Sequence, residues 1–426
     1  MKKRISPRHA AALAAIGIAL TATAGGALAY RNSAVPLRAA TCSPIQNSNG
    51  ELLIASDLPL HGADRARTAQ MTRAIAFELG RHGWKAGAYT VAYQSCDDST
   101  AQANTWDPGA CSTNAERYAA NSSLVAVIGT LNSGCAELEL PTLNRAANGP
   151  LAMVSPADTY AGLTHSAPGT AADEPGRYYP TGVRNFMRVI AADDFQGAAD
   201  ATLASALHVT RLFVVHDQQA YGEGIASDTA QAAKKLGITI VANVAWGARA
   251  TSYSKLALQI ARSGAQAVFL GGLISENGGR LIEDIRAAAP NVTIIAPDGF
   301  TPVSADVQQS VGTANGIYIS VAGLPNERLP AAGQAFLKAF SNSENGAAID
   351  PYSVDAAQAA DVILAALAAS DGTRADVASR LFKVHIPHGL LGPVTFDPNG
   401  DLSANPVTIY RVVGGEPAIY QVIVPK

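Results

Sequence analysis

At 426 residues the chain is long for one domain, and two lobes are the expected division. Hydrophobic residues make up 48% and charged residues 15%, which suits large buried sheets and excludes a disordered chain. The net charge of −3, with no basic cluster after the first few residues, argues against nucleic acid as a partner, because neutralising phosphates takes a local excess of Lys and Arg.

The N-terminus reads as an export signal over residues 1–29. "MKKR" supplies the positive region, "AALAAIGIALTATAGG" a short apolar core, and "ALA" ending at Ala29 a small-residue cleavage site. That core is short for a membrane span, which needs about 20 residues; the alternative is an uncleaved anchor. Lipid attachment at Cys42 is not expected, because "AATC" lies well beyond the apolar core and lacks a large aliphatic residue upstream. Residues 30–50 read as a linker. Export means an oxidising compartment, so Cys42, Cys96, Cys111 and Cys135 are expected to pair. Three connectivities are open. Local closure of the polar loop "CDDSTAQANTWDPGAC" favours Cys96 with Cys111, leaving Cys42 for Cys135. No pair has CxxC or HxxxH spacing, so neither a metal site nor a cofactor is expected.

From Leu52 the chain alternates apolar runs with helical segments. "ELLIAS", "AYTVAYQS", "LVAVIGT" and "PLAMVS" predict strands, separated by the amphipathic helix "TAQMTRAIAFELGRHG", the helix "STNAERYAAN" and "GCAELELPTLNRAAN" with its internal proline. Past a Gly- and Pro-rich loop, "THSAPGTAADEPGRYYPTGVRN", the rhythm resumes with "RLFVVHD", "TIVANVAW", "AQAVFLGG" and "VTIIAPDG" as strands. A strand "GIYISVA" and two helices follow, and the tail "GPVTFDPNGDLSANPVTIYRVVGGEPAIYQVIV" predicts hairpin structure turning at "DPNGD" and "GGEP". Strand–helix–strand repetition means parallel sheets with crossover helices. The fold class is α/β, with two doubly wound parallel-sheet lobes.

Ligands of open parallel sheets sit beyond the carboxyl ends of the strands, so candidates should follow strands. "VIGTLNSG" places Asn132 and Ser133 at a helix start, where free N–H groups suit a carboxylate. "MVSPADT" brings Ser155, Asp158 and Thr159 to the next strand end, and "IIAPDG" ends at Asp298, a carboxylate fit for an ammonium in a low-dielectric cleft. Tyr221 in "AYGEG" can cover the ligand from the second lobe. An anion site and a cation site together suit an α-amino acid. Each residue also has a plainer reading as a helix cap, a turn or packing; joint placement at strand ends is what favours a site. Catalysis is not expected. Ser133 and Ser155 lack a GxSxG elbow, and His216 and Asp217, adjacent on a strand, point to opposite faces.

"HDQQAYGEG", "VIGTLNSG", "VSPADTYAGLT", "DDFQG" and "FDPNGDL", in that company, resemble the periplasmic leucine/isoleucine/valine-binding proteins, the type I solute receptors of branched-chain amino-acid ABC importers. The resemblance runs from about Leu52 to the C-terminus. It implies a three-segment hinge crossing near Val189–Asp193, Val321 and Phe396, with lobe one at 51–190 and 322–395 and lobe two at 191–321 and 396–426. It also implies that Ser133 holds the ligand carboxylate and that Ala157 offers a backbone contact to the ammonium. Asp158 becomes a backbone neighbour, Thr159 touches both charged groups, Tyr221 packs over the ligand, and Asp298 holds the ammonium. The sequence departs from the family at Leu273, where an aromatic walls the leucine pocket, and at "PLHGADRARTAQ", whose Arg65 and Arg67 are either solvated or face the pocket. The expected protein is an exported, extracytoplasmic, monomeric receptor that delivers an amino acid, of branched-chain type or related, to ABC permease subunits. The alternatives are a ligand-sensing module and a receptor for an amide, a urea-like solute or an aromatic acid.

Overall fold

The computed structural model describes residues 33–425; the predicted export signal lies outside them. In chain order the first lobe carries β1 (Leu52–Leu58), β2 (Lys85–Ala86), β3 (Tyr89–Asp97), β4 (Ser99–Thr100), β5 (Thr105–Trp106), β6 (Leu124–Gly129), β7 (Ala152–Ser155) and β8 (Phe186–Arg188). The second carries β9 (Arg211–His216), β10 (Thr239–Ala245), β11 (Ala267–Gly271), β12 (Thr293–Ala296) and β13 (Tyr318–Ala322). After these come β14 (His385–Gly389) and β15 (Gly392–Thr395), which pair with each other, and then β16 (Val407–Val413) and β17 (Glu416–Ile423). One sheet has the order β2-β3-β1-β6-β7-β8 and the other β10-β9-β11-β12-β13-β16-β17. The central parallel strands are buried on both faces, which is why they read as continuous apolar runs: every residue of β6 and of β11 is buried. The last two strands form the predicted hairpin, turning on Gly414 and Gly415, whose φ angles of 62° and 88° suit glycine.

Helices α1 (Arg65–Arg81), α2 (Pro108–Ala120) and α3 (Ser133–Asn144) connect the first sheet, and α4 (Asp193–Ala206), α5 (Ala220–Lys235), α6 (Ser254–Arg262), α7 (Gly279–Ala288) and α8 (Val303–Gln309) the second. Next come α9 (Ala331–Ser343), α10 (Pro351–Ala368) and α11 (Arg374–Leu381). The long Ala-rich α10 returns to the first lobe, where its Ala356, Ala359, Ala360 and Ile363 share one core with Met71, Ile75 and Leu79 of α1. Its start is fixed locally: Pro351 occupies the first turn, and Asp350 accepts the Tyr352 N–H at 3.0 Å.

The chain passes between the sheets after β8, after β13 and between β15 and β16. Arg188, fully buried, ties the first passage to the third. Its Nε donates to Asp401 Oδ1 at 2.7 Å, its Nη1 to the carbonyls of Asp158 and Tyr160 at 3.0 and 2.9 Å, and its Nη2 to Thr164 Oγ1. His165 adds Nδ1 to Asp401 at 2.9 Å and Nε2 to Asp194 at 3.3 Å. Burial opposes the charge on His165, but the bonds to Asp194 and Asp401 outweigh it and raise its pKa to about 9. A cationic group held above its unfolded pKa of about 6.5 stabilises below that pH, and the gain is lost as pH rises to about 9. Thermal melts of His165→Asn should therefore show a smaller loss of stability than wild type between pH 6.5 and 9.

The favoured cysteine pairing is corrected: the disulfides are Cys42–Cys96 and Cys111–Cys135. The loop after Cys96 does not close on itself. It makes the β4–β5 ribbon and then α2, capped by Asp107 accepting the Ala110 N–H, and this sets Cys111 on a helix packed against α3, which carries Cys135. Cys42 meets Cys96 because the segment read as a linker lies on the first sheet, with Ala34 and Leu37 buried and Gln94 Oε1 accepting the Leu37 N–H at 2.6 Å. Removing Cys111–Cys135 (sequence separation 24) with two alanines should cost about 3 kcal/mol of folding free energy, seen as a lower urea midpoint.

Candidate functional site

Leaving out edge and added strands, both sheets run second strand, first strand, then onward (β3-β1-β6-β7-β8 and β10-β9-β11-β12-β13). In such sheets connections leave to opposite faces on either side of the first strand, which opens a crevice at its carboxyl end. The two crevices face each other across one cleft. Its walls are supplied by the segments that follow β1, β6 and β7 in lobe one and β9, β11 and β12 in lobe two, with Tyr352 added from α10.

On the first wall α3 aims its N-terminus into the cleft. Ser133 is its first residue and Asn132 its cap; the Asn132 Oδ1 is buried without a hydrogen-bond partner, and Ser133 Oγ accepts the Tyr160 N–H at 3.2 Å. The open N–H groups and positive dipole end of this 12-residue helix suit an anion. Beside it lie Ala157 and Thr159, both buried on the cleft wall. Their turn is held by Ser155, whose hydroxyl accepts the N–H groups of Ala157 and Asp158 at 3.1 and 2.7 Å and donates to the Thr130 carbonyl. Ser155 is thus occupied as a turn brace.

The second wall centres on Asp298, 4% exposed. Its Oδ1 accepts from Tyr221 Oη at 2.6 Å and Gln196 Nε2 at 3.1 Å, and its Oδ2 accepts from Tyr352 Oη. Burial and the Asp298 charge push the Tyr221 hydroxyl well above its ordinary pKa, so it remains a donor. The packing here is close. A Cβ on Gly299 would stand 2.3 Å from the Gly272 carbonyl oxygen and 2.9 Å from the Tyr221 ring, and one on Gly222 would stand 2.1 Å from Asp217 Oδ1. Asp217 pins both loops of the second crevice by accepting the Gln219 and Leu273 N–H groups at 2.9 and 3.0 Å. His216 beside it leaves Nδ1 without a hydrogen-bond partner among the described residues.

Ser133, Asn132, Ala157, Thr159, Tyr221, Leu273 and Asp298 therefore line one cleft. Asp158 does not: its carboxylate turns away to accept the Thr130 N–H at 2.7 Å and its hydroxyl at 3.0 Å, because Ser155 has already curled the backbone at this point. Burial, outweighing those bonds, raises its pKa to about 7. Arg67 belongs to the site and Arg65 does not. Arg67 is buried on the wall, donating through Nη2 to Thr301 Oγ1 at 2.9 Å and through Nε to Asp350 at 3.3 Å, whereas Arg65 is exposed. Sequence reading missed Tyr352, Thr301 and Gln196. The Asp–Pro start of α10 was a usable signal that its first turn sits at a helix mouth. The lobes touch directly through Tyr352–Asp298 and Arg67–Thr301, and the cavity between them is about 40 Å³, little more than one water's share of the liquid. An amino acid enters only when these two contacts part.

Two crevices of opposite electrical character, one on each hinged lobe, define a solute-binding protein that takes a small ligand between its halves. The family model described as periplasmic binding protein matches residues 74–416, and the chain belongs to that family. The Leu/Ile/Val-binding protein homolog 2 of Brucella abortus is 24% identical over 381 residues, 88% of this chain and 93% of that protein. A Pseudomonas aeruginosa amino acid binding protein is 24% identical over 234 residues; the match spans 54% of this chain and 61% of the relative's length. Among solved structures, a leucine binding protein of Thermotoga maritima superposes with a TM-score of 0.75 at 19% identity, over 88% of this chain and 99% of that one. An R. palustris ABC transporter solute binding protein in complex with benzoate gives 0.70 at 17%, over 88% and 96%. These structural likenesses concern the fold, which is that of the type I periplasmic binding proteins. Among the described residues no helix is long and apolar enough to cross a membrane.

Proposed function

We propose that the chain is an exported receptor that captures an α-amino acid between lobes 51–190 plus 322–395 and 191–321 plus 396–426, and hands it as a monomer to ABC permease subunits. The reading rests on one observation: the open α3 N-terminus at Ser133 and the acid Asp298 lie across a single cleft, with Thr159 and Tyr221 between the lobes' walls. The ligand carboxylate goes to Ser133, and its ammonium to Asp298, Thr159 and the Ala157 carbonyl. Contacts to Tyr221 and Asp298 complete only when the lobes close, and that difference in contact shifts the open–closed equilibrium. The closed form then presents both lobe surfaces to the permease. Branched-chain relatives support an apolar side chain against Leu131, Leu273 and Ile274.

A second reading has its own support. Arg67 on the wall, together with the benzoate-bound structural neighbour, suits an aromatic carboxylic acid. A thermal-shift screen separates the two, since a ligand bound only by the native state raises the melting temperature. L-Leucine, isoleucine or valine, or another L-amino acid, should give the largest shift. A shift by benzoate or 4-hydroxybenzoate with none by any amino acid would replace the first reading by the second.

A further inference from the structure

A second cavity, of about 360 Å³, lies where the passages between the lobes run side by side. It is bordered by Val189–Ala191 of the first passage, Gly323 and Leu324 of the second, and Leu402 to Pro406 of the third. Its walls are apolar, with Ile190, Leu329, Leu391 and Val394 prominent. It is nine times the volume of the cleft cavity and within the range that holds small organic ligands.

One acidic side chain is buried in this lining. Asp355, on α10 one turn beyond Tyr352, is 8% exposed, and among the described residues its carboxylate has neither an ion pair nor a side-chain hydrogen bond. Burial first, and then the charge of Asp350, hold its pKa well above the carboxylate range; no cation counters them. The other charged residue of the lining, Arg328, is exposed, so water screens it. The carboxyl thus opens onto the cavity without a protein partner, and a donor arriving with an apolar body supplies one while covering the walls.

We propose that this hinge cavity is a second binding site, distinct from the cleft, for a small apolar molecule carrying a protonated amine: the ammonium pairs with Asp355 and the apolar body fills the space between Ile190, Leu329 and Val394. Nothing in this assignment depends on which solute the cleft takes.

The test is calorimetric titration of the full exported chain with benzylamine, and with benzyl alcohol as its uncharged counterpart. Wild type should bind one benzylamine, and benzyl alcohol at least tenfold more weakly. Asp355→Asn should weaken benzylamine at least tenfold. Ala404→Trp, which fills the cavity from an exposed position, should do the same without touching the acid. Asp298→Ala, in the cleft, should change benzylamine binding less than threefold. No binding to wild type, binding unmoved by both Asp355→Asn and Ala404→Trp, or binding lost in Asp298→Ala would each overturn the proposal.

Discussion

Asp298→Ala is expected to raise the dissociation constant for the bound amino acid at least about a hundredfold, measured by calorimetry. The ammonium of a captured amino acid is taken out of water, and removing one partner of a buried charge pair costs about 3–5 kcal/mol because the other is left uncompensated. The environment sharpens the effect. Asp298 Oδ1 is held by Tyr221 and Gln196 of its own lobe, so its carboxylate is fixed in place before the ligand arrives. Tyr352→Phe serves as the contrast. Its hydroxyl occupies Asp298 Oδ2 from the opposite lobe, the place an ammonium takes on binding, so its loss should change the constant less than tenfold. If Asp298→Ala leaves the affinity unchanged, the ammonium does not reside there.

Arg188→Met is expected to lower the folding free energy by about 3–5 kcal/mol, read from urea unfolding, and to abolish ligand-induced stabilisation. This side chain is fully buried and donates to Asp401, to the Asp158 and Tyr160 carbonyls and to Thr164. The flexible apolar replacement leaves Asp401 buried without its arginine, and Arg188 is the first of the charges that offset burial and hold the Asp401 carboxyl well below the usual range. Two of the freed acceptors belong to the turn that carries Ala157 and Thr159, so the loss reaches the cleft wall. A variant that unfolds like wild type would remove Arg188 from this role.

Periodicity in the sequence carried the fold far, because parallel strands buried on both faces, such as "LVAVIG" and "AVFLG", leave continuous apolar runs. Strand ends likewise pointed to Ser133, Thr159, Tyr221 and Asp298, since an open parallel sheet has only one side on which loops converge. What escaped was contact between segments far apart in the chain. Tyr352 reaches the cleft because α10 returns to lobe one after a long excursion, and no local pattern states where a helix face will lie. The disulfides were mispaired for the same reason: proximity along the chain favoured Cys96 with Cys111, while a β-ribbon and a helix between them carried Cys111 to Cys135. For Asp158 the resemblance implied only a backbone neighbour of the ligand; what no sequence pattern stated is that its side chain turns inward to Thr130, beside the hydroxyl brace at Ser155. Arg67 illustrates the limit from the other direction. Composition alone left it between solvent and pocket, and only the helical phase of α1 put it on the wall while Arg65 stayed in water.

The most direct measurement is a co-crystal structure with the L-amino acid that stabilises the chain most. The predicted result is one ligand between the lobes, its carboxylate within hydrogen-bond reach of Ser133 at the head of α3 and its nitrogen within reach of Asp298. A ligand lying outside this cleft, or one seated with its nitrogen turned from Asp298 toward Arg67, contradicts the account.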